Sequence, residues 1–365
     1  MTDHSIIVAS AIVVAAACAA ELNLLRIFIR DWRSGSRAGS LRPARARATR
    51  SIPKRHQSLA NGRAAFRNCS AAVALALSSG IAAAEPPPAS DAPQAPAENA
   101  EAAATAAAGS AVSLQLNFDY TTGYFYRGIV QEDSGLILQP AARLTINVLQ
   151  EGDFKLDLIA GTWNSFHGQK TAAQTRSDFT EYWYESDLYA GLVVTKGKLS
   201  LTSTYTFLTS PSDAYETVQE LGFTLALDDS EWLGAFALKP YTSLVFETGA
   251  DASDGADSDT GTYLELGIGP GFSFECGKTP VTVTFPVSVG LSLEDYYQDS
   301  SGNDDAFGFA QAGVKFSLPL PVNNRYGAWT LNAGVAALFL GDHTQDLNDG
   351  DDTEIIGTIG LQWNF

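Results

Sequence analysis

After residue 84 the sequence has no long hydrophobic run: none reaches the roughly 18 residues that a membrane-spanning helix needs. Basic residues are scarce there too. Residues 1–84 hold 12 of the 23 Lys and Arg and only three acids, Asp3, Glu21 and Asp31, a balance of +9 that leaves −27 for the rest of the 365-residue chain. So acidic a body argues against nucleic acid as a partner, because phosphate binding needs a basic surface. Cysteine is limited to Cys18, Cys69 and Cys276. A chain cut after residue 84 keeps Cys276 alone and can form no intrachain disulfide. Of four histidines, only His167 and His343 follow that point, both in expected external loops where solvation accounts for them. No His-Ser-Asn set suits an outer-membrane phospholipase, and His167 near Asp178 or His343 near Asp342 and Asp346 only imitates a proteolytic mouth. No zinc spacing, phosphate loop or dinucleotide fingerprint follows residue 84, so neither an enzyme nor a cofactor is expected.

What precedes residue 85 reads as targeting sequence. Ala71 to Ala84 is a short apolar run behind Arg63 and Arg67, ending in Ala82-Ala83-Ala84. These are the three parts of a secretory signal, which places the signal peptide at 59–84 with cleavage after Ala84. An earlier apolar run, Ser5 to Ala20, is short for a membrane helix. The favoured reading makes residues 1–58 an upstream extension from a misplaced start. Residues 85–112 are Pro- and Ala-rich, bury too little apolar surface to fold alone, and read as a disordered linker.

From residue 113 onward, period-2 alternation dominates. Val281, Val283, Phe285, Val287, Val289, Leu291 and Leu293 share one face, with Thr282, Thr284, Pro286, Ser288, Gly290 and Ser292 on the other. Leu138, Ala142, Leu144, Ile146 and Val148 repeat the pattern, as do Trp329, Leu331, Ala333, Val335, Ala337 and Phe339. A soluble sandwich also alternates. Here, though, the expected strands run about 11–14 residues, where soluble strands average about 5–6. The non-apolar face also carries mid-strand charges, which suit a wet lumen and would be costly in a dry core.

The pattern predicts an all-β fold: a transmembrane antiparallel up-and-down β-barrel of twelve strands with both termini periplasmic. The strands are expected at 114–131, 136–149, 154–165, 181–194, 198–208, 215–227, 235–247, 261–275, 280–293, 306–318, 327–340 and 353–365. Short turns alternate with longer polar loops, as in outer-membrane barrels. Closure is a physical requirement, because an open sheet edge in lipid leaves backbone groups unpaired. Aromatics at Tyr120, Tyr124, Tyr126, Trp163, Phe166, Tyr182, Trp183, Tyr184, Tyr296, Tyr297, Trp329 and Trp363 are expected to form interfacial girdles. Ile355, Ile359, Leu361, Trp363 and the terminal Phe365 share one face. An ending of this kind resembles the outer-membrane assembly signal, implying the barrel-assembly machinery as a partner.

The stretch Phe118 to Gln131 carries Tyr124, Arg127, Gly128 and Gln131 in the order Tyr-x-x-Arg-Gly-x-x-Gln. With Gln139-Pro140 and Gly161-Thr-Trp-Asn-Ser165, it resembles the opening of the TorF-type porin family, also called the Gcw family. The resemblance covers about residues 114–165. It implies an outer-membrane barrel with no established substrate.

Expected lumen-facing charges are Asp119, Arg127, Arg143, Lys155, Asp157, Glu185, Asp187, Lys239, Glu265 and Lys315. Arg127 is expected either to pair with an acid across the lumen or to set selectivity. The Asp-rich loops, with Asp251, Asp254, Asp257 and Asp259 and then Asp342, Asp346, Asp349, Asp351 and Asp352, lack the EF-hand ligand order. They read as solvated segments, with weak divalent bridging to lipopolysaccharide as the alternative. The leading expectation is a channel passing small polar solutes or ions, with weak cation preference because acids outnumber bases in the lumen. The alternative is a structural or adhesive barrel with a plugged lumen. Third comes a membrane-embedded hydrolase using His167 or His343. The expected partners are outer-membrane lipid, lipopolysaccharide and small polar solutes.

Overall fold

The computed structural model describes residues 111–170, 179–249, 251–253, 259–277, 279–299 and 302–365. The upstream extension, the signal peptide and the linker as far as residue 110 lie outside these residues, as do Asp178, Asp254 and Asp257. Cys276 is disulfide-bonded. The expectation that it is unpaired concerns the cleaved chain.

Sixteen strands are described. They are β1 (Val112–Thr121), β2 (Tyr124–Tyr126), β3 (Ile129–Glu132), β4 (Ile137–Glu151), β5 (Phe154–His167), β6 (Trp183–Lys196), β7 (Leu199–Thr209) and β8 (Val218–Leu227), followed by β9 (Tyr241–Glu247), β10 (Thr262–Ile268), β11 (Gly271–Cys276), β12 (Thr279–Thr284), β13 (Val287–Glu294), β14 (Phe307–Pro319), β15 (Ala328–Leu340) and β16 (Thr353–Asn364). β10 and β11 form one wall strand interrupted at Gly269-Pro270. β12 and β13 form another, interrupted at Phe285-Pro286. The cause is local: a proline has no N–H to give the ladder. Both prolines still accept bonds, Pro270 from the Phe285 amide at 2.8 Å and Pro286 from the Gly313 amide at 3.1 Å. With these joined and β2–β3 set aside, the wall has the expected twelve strands.

The wall closes. Each strand pairs antiparallel with its neighbour, and β16 pairs with both β15 and β1, the latter from Gln115↔Asn364 to Thr121↔Thr358. Among the described residues each joined wall strand has a partner on both sides, although the β11 segment pairs only with β12. Alternation then sorts the side chains. Phe118, Leu188, Ile355 and Ile359 point outward and are 62%, 57%, 55% and 50% exposed. Thr202, Thr204 and Thr206 point inward from β7 and are buried. Two-residue turns join β4 to β5 and β6 to β7, with Gly152 and Gly197 at φ 59° and 58°, the left-handed geometry that such hairpins demand.

Three expectations need correction. β1 ends at Thr121 rather than continuing to residue 131, and the chain leaves the wall there to form the separate two-stranded sheet β2–β3. The strand expected from residue 235 begins only at Tyr241. The intervening chain makes helical turns at Ser230–Leu233 and Gly234–Phe236, where the Asp229 carboxylate accepts the amides of Leu238 at 3.0 Å and Lys239 at 2.9 Å. Several expected girdle aromatics are also buried rather than interfacial: Tyr124, Tyr126, Trp163, Tyr184, Tyr296 and Tyr297. Each packs in one of two interior clusters that include the β2–β3 hairpin. Outside these clusters Phe166 stacks on Trp183 at 5.4 Å and Trp329 on Trp363 at 5.5 Å near strand ends, and Phe272 on Phe285 at 6.1 Å beside the proline breaks.

Candidate functional site: a hairpin folded into the barrel mouth

Tyr126 and Ile129 are the last pair of the β2–β3 ladder, so Arg127 and Gly128 form a two-residue turn. Their φ angles are 49° and 90°. Positive φ at both central positions is the type I′ requirement, usually met by Asn-Gly or Asp-Gly. Arginine in the first position is strained, at a cost on the order of 1–3 kcal/mol. Gly128 is needed for space as well as backbone: a Cβ there would lie 3.2 Å from the Phe309 side chain on β14.

The hairpin fills the space between opposite walls. Tyr124 and Tyr126 pack with Trp163 of β5, Tyr184 of β6, Leu208 of β7 and Val218 of β8. Phe125 and Ile129 pack with Val245 of β9, Tyr263 of β10, Phe309 of β14, Leu338 and Leu340 of β15, and Ile356 of β16.

Polar contacts fix its position. The Arg127 guanidinium makes a two-pronged pair with Glu220 of β8, Nη1 to Oε1 at 2.7 Å and Nη2 to Oε2 at 2.8 Å. Nη1 also donates to the Tyr296 hydroxyl. The guanidinium carbon lies 4.7, 4.5 and 5.3 Å from the ring centres of Tyr126, Tyr263 and Tyr296. Tyr126 donates to Glu220 at 2.8 Å, and Tyr124 to Glu185 at 2.8 Å. At the turn, the Arg127 carbonyl accepts from the Tyr297 hydroxyl at 2.9 Å and the Gly128 carbonyl from Asn348 Nδ2 at 2.7 Å. Arg127 is 1% exposed, so this ion pair is fully desolvated.

Burial opposes the Arg127 charge. Glu220, Tyr126 and Tyr296 more than offset that, and the net effect raises the guanidinium above its ordinary value. Burial pushes the Tyr124 phenol well up, as do the carboxylates of Glu185 and Asp187. Burial likewise raises Tyr126, against the lowering effect of Arg127. Both phenols therefore act as neutral donors to carboxylates.

Other expected lumen charges are scattered along the wall. Asp119 of β1 lies within electrostatic reach of Lys315 of β14. On β5, Lys155 pairs with Asp157 at 2.8 Å, and Asp157 accepts from Asn147 Nδ2 at 2.8 Å. Arg143 of β4 feels Asp157 and Tyr189. Glu185 and Asp187 are buried side by side on β6, and Glu265 on β10 accepts from Tyr241 at 2.5 Å and Tyr263 at 2.6 Å. Lys239 is not in the wall; it precedes β9 with φ 49°. Of the motif residues, Gln131 accepts a bond from the Tyr184 hydroxyl. In the C-terminal strand, Ile359 and Phe365 are exposed on the outer face while Gln362 and Asn364 are buried on the inner. Leu361 and Trp363 are half-buried on the outer face.

The sequence reading missed Glu220, Glu247, Tyr263 and Asn348, and gave Tyr296 a girdle role instead of one in this site. Glu220 carried a usable signal: it occupies the inner face of an expected strand, where a charge asks for a partner. Glu247 accepts from the Gly261 amide and from Ser253.

His167 is not a solvated loop residue. It ends β5 facing inward, buried, with Tyr184 stacked on its ring at 4.5 Å. Nε2 bonds Ser165 Oγ at 2.9 Å. The Glu132 carboxylate stands 3.8 Å from Nδ1. His343 lies in the short helix Asp342–Asp346, its Nδ1 2.9 Å from the Tyr297 carbonyl. Among the described residues, no group of three His, Cys, Asp or Glu side chains is placed to hold a metal.

No protein-family model matches the chain, and no curated protein matches it. Among solved structures, it is similar to the NanC porin at 11% identity and TM-score 0.36, covering 68% of this chain and 98% of that one. It is similar to the COG4313 outer membrane channel from Pseudomonas putida F1 at 10% identity and TM-score 0.39, covering 70% and 95%. It is also similar to LpxR from Salmonella typhimurium at 8% identity and TM-score 0.35, covering 69% and 99%. The fold itself rests on the closed strand pairing described above.

Proposed function

We propose that this chain is an outer-membrane channel for small polar solutes or ions, with weak cation preference, whose mouth is held shut or narrow by the β2–β3 hairpin. The observation that carries this reading is the division of the wall. Large apolar side chains face outward from a closed ring of strands, and charged and hydroxyl side chains face inward. Such an exterior belongs against hydrocarbon, and such an interior against water. Inward acids at Asp119, Asp157, Glu185, Asp187, Glu220, Glu247 and Glu265 exceed the inward bases Arg127, Arg143, Lys155 and Lys315, which favours cations.

Export through the signal at 59–84 with cleavage near Ala84, and insertion by the barrel-assembly machinery guided by Ile359, Leu361, Trp363 and Phe365, belong to the same proposal. So do contacts with lipopolysaccharide and membership of the TorF-type family. That membership rests on Tyr124, Arg127, Gly128 and Gln131, all of which fall in or beside the hairpin turn.

The buried hairpin also favours a second reading, a structural or adhesive barrel closed for good. Planar-bilayer recordings of the wild type and of a chain with residues 123–134 replaced by a Gly-Ser linker separate the two. A channel conducts, with larger unitary conductance after the deletion. If neither protein conducts, the channel reading fails and the plugged barrel takes its place.

A further inference from the structure

The wall offers Arg127 a site built from three elements that do not belong to the hairpin. Glu220 of β8 supplies a carboxylate for both guanidinium prongs. Tyr263 of β10 presents a ring face 4.5 Å from the guanidinium carbon. Tyr296, in the chain after β13, supplies a second ring and an acceptor hydroxyl. Glu265, bonded by Tyr263, adds negative potential that acts on Arg127. A carboxylate matched to a planar fork and flanked by aromatic faces is the arrangement that selects guanidinium over a point-charge cation.

The hairpin is a guest in this site. Its turn is strained at Arg127 and it contributes nothing to wall closure. When it leaves, Glu220 loses the guanidinium prongs and the Tyr126 hydroxyl together, and a desolvated carboxylate without a cation is costly. From this we infer that the Glu220–Tyr263–Tyr296 cage is a solute site for guanidinium-bearing cations, occupied in the closed state by Arg127. Such a solute takes over both prongs and the ring contacts as the hairpin withdraws, so recognition and opening are the same exchange. This deepens the channel reading by naming its solute class, yet the site exists whether or not solute passes through.

The test is chemical rescue, which needs no conductance. Full-length Arg127→Ala protein is purified in detergent, and its thermal unfolding is followed with methylguanidinium at non-denaturing millimolar concentrations. Urea, which has a similar planar shape without charge, and ammonium, which has charge without the fork, are run in parallel. Methylguanidinium is expected to raise the Arg127→Ala midpoint saturably and to leave the wild type, whose cage is filled, nearly unchanged. Adding Glu220→Gln to Arg127→Ala should weaken the apparent affinity at least about tenfold, as expected for loss of a charge-assisted two-pronged contact. If Arg127→Ala does not insert, the chain lacking residues 123–134 presents the same cage and is expected to respond in the same way. An equal response to urea or ammonium, or a response indifferent to Glu220→Gln, overturns the site. Rescue without any conductance keeps the site and removes the channel; conductance without rescue does the reverse.

Discussion

Replacing Arg127 with alanine strips the hairpin of its main anchor, and the size of the effect follows from the geometry. The pair with Glu220 is two-pronged, at 2.7 and 2.8 Å, and both side chains are almost wholly desolvated. Removing one partner of a buried ion pair costs about 3–5 kcal/mol, because the other charge is left unpaired. The strained turn is not relaxed, since alanine at φ 49° is no easier than arginine. The cost falls on hairpin docking rather than on the wall, whose ladder does not include β2 or β3.

Hydrogen exchange followed by mass spectrometry therefore suits the question. A loss of about 3 kcal/mol corresponds to exchange roughly a hundredfold faster in peptides covering 122–136, with peptides from β7 unchanged. In the Arg127→Ala background, Glu220→Gln removes the stranded charge and should recover part of the protection. Unchanged exchange over 122–136, or an equal rise in β7, would refute the reasoning.

Other outcomes follow from the same structure. Gly308→Ala places a Cβ 2.0 Å from the ring of Tyr297, which is fully buried, and should lower the unfolding free energy by about 1–3 kcal/mol; Gly269→Ala, with nothing within 4 Å, should change it by less than about 0.5 kcal/mol in the same urea titration. Leu188→Arg on the outer face of β6 should cost about 2–4 kcal/mol in lipid vesicles if that face meets hydrocarbon, and almost nothing if it meets water. Phe365→Ala is expected to reduce the heat-modifiable, folded fraction in outer membranes several-fold while leaving refolding into detergent intact; equal losses in both would make Phe365 a packing residue rather than an assembly signal.

The wall was legible in the sequence because each strand alternates between an apolar outer face and a polar inner one. Alternation from Val281 to Leu293 survives even the break at Pro286, and the ends of β5, β14 and β16 fall within two residues of expectation. The hairpin was not legible. Tyr124 to Tyr126 is aromatic and β-prone, so it reads as more of β1, and only tertiary structure turns it inward. Its turn uses Arg127 where the backbone normally asks for Asn or Asp, and the partner that makes this tolerable lies 93 positions away. Lys239 failed for a related reason: the bend that removes it from the wall is held by the Asp229 carboxylate, ten residues earlier. Arg127 pairs with Glu220, a partner whose identity was readable only from the fold.

The central claim is a wall with lipid on one side and water on the other, and neighbouring residues test it most directly. Asn117 and Phe118 are adjacent in β1 and face opposite ways, Phe118 outward at 62% exposure. Spin labels are placed at each position in turn, in a cysteine-free background reconstituted into vesicles. The account predicts that the label at Phe118 is relaxed by oxygen, which concentrates in lipid, and the label at Asn117 by a water-soluble nickel chelate. Equal access of both labels to the chelate would contradict it.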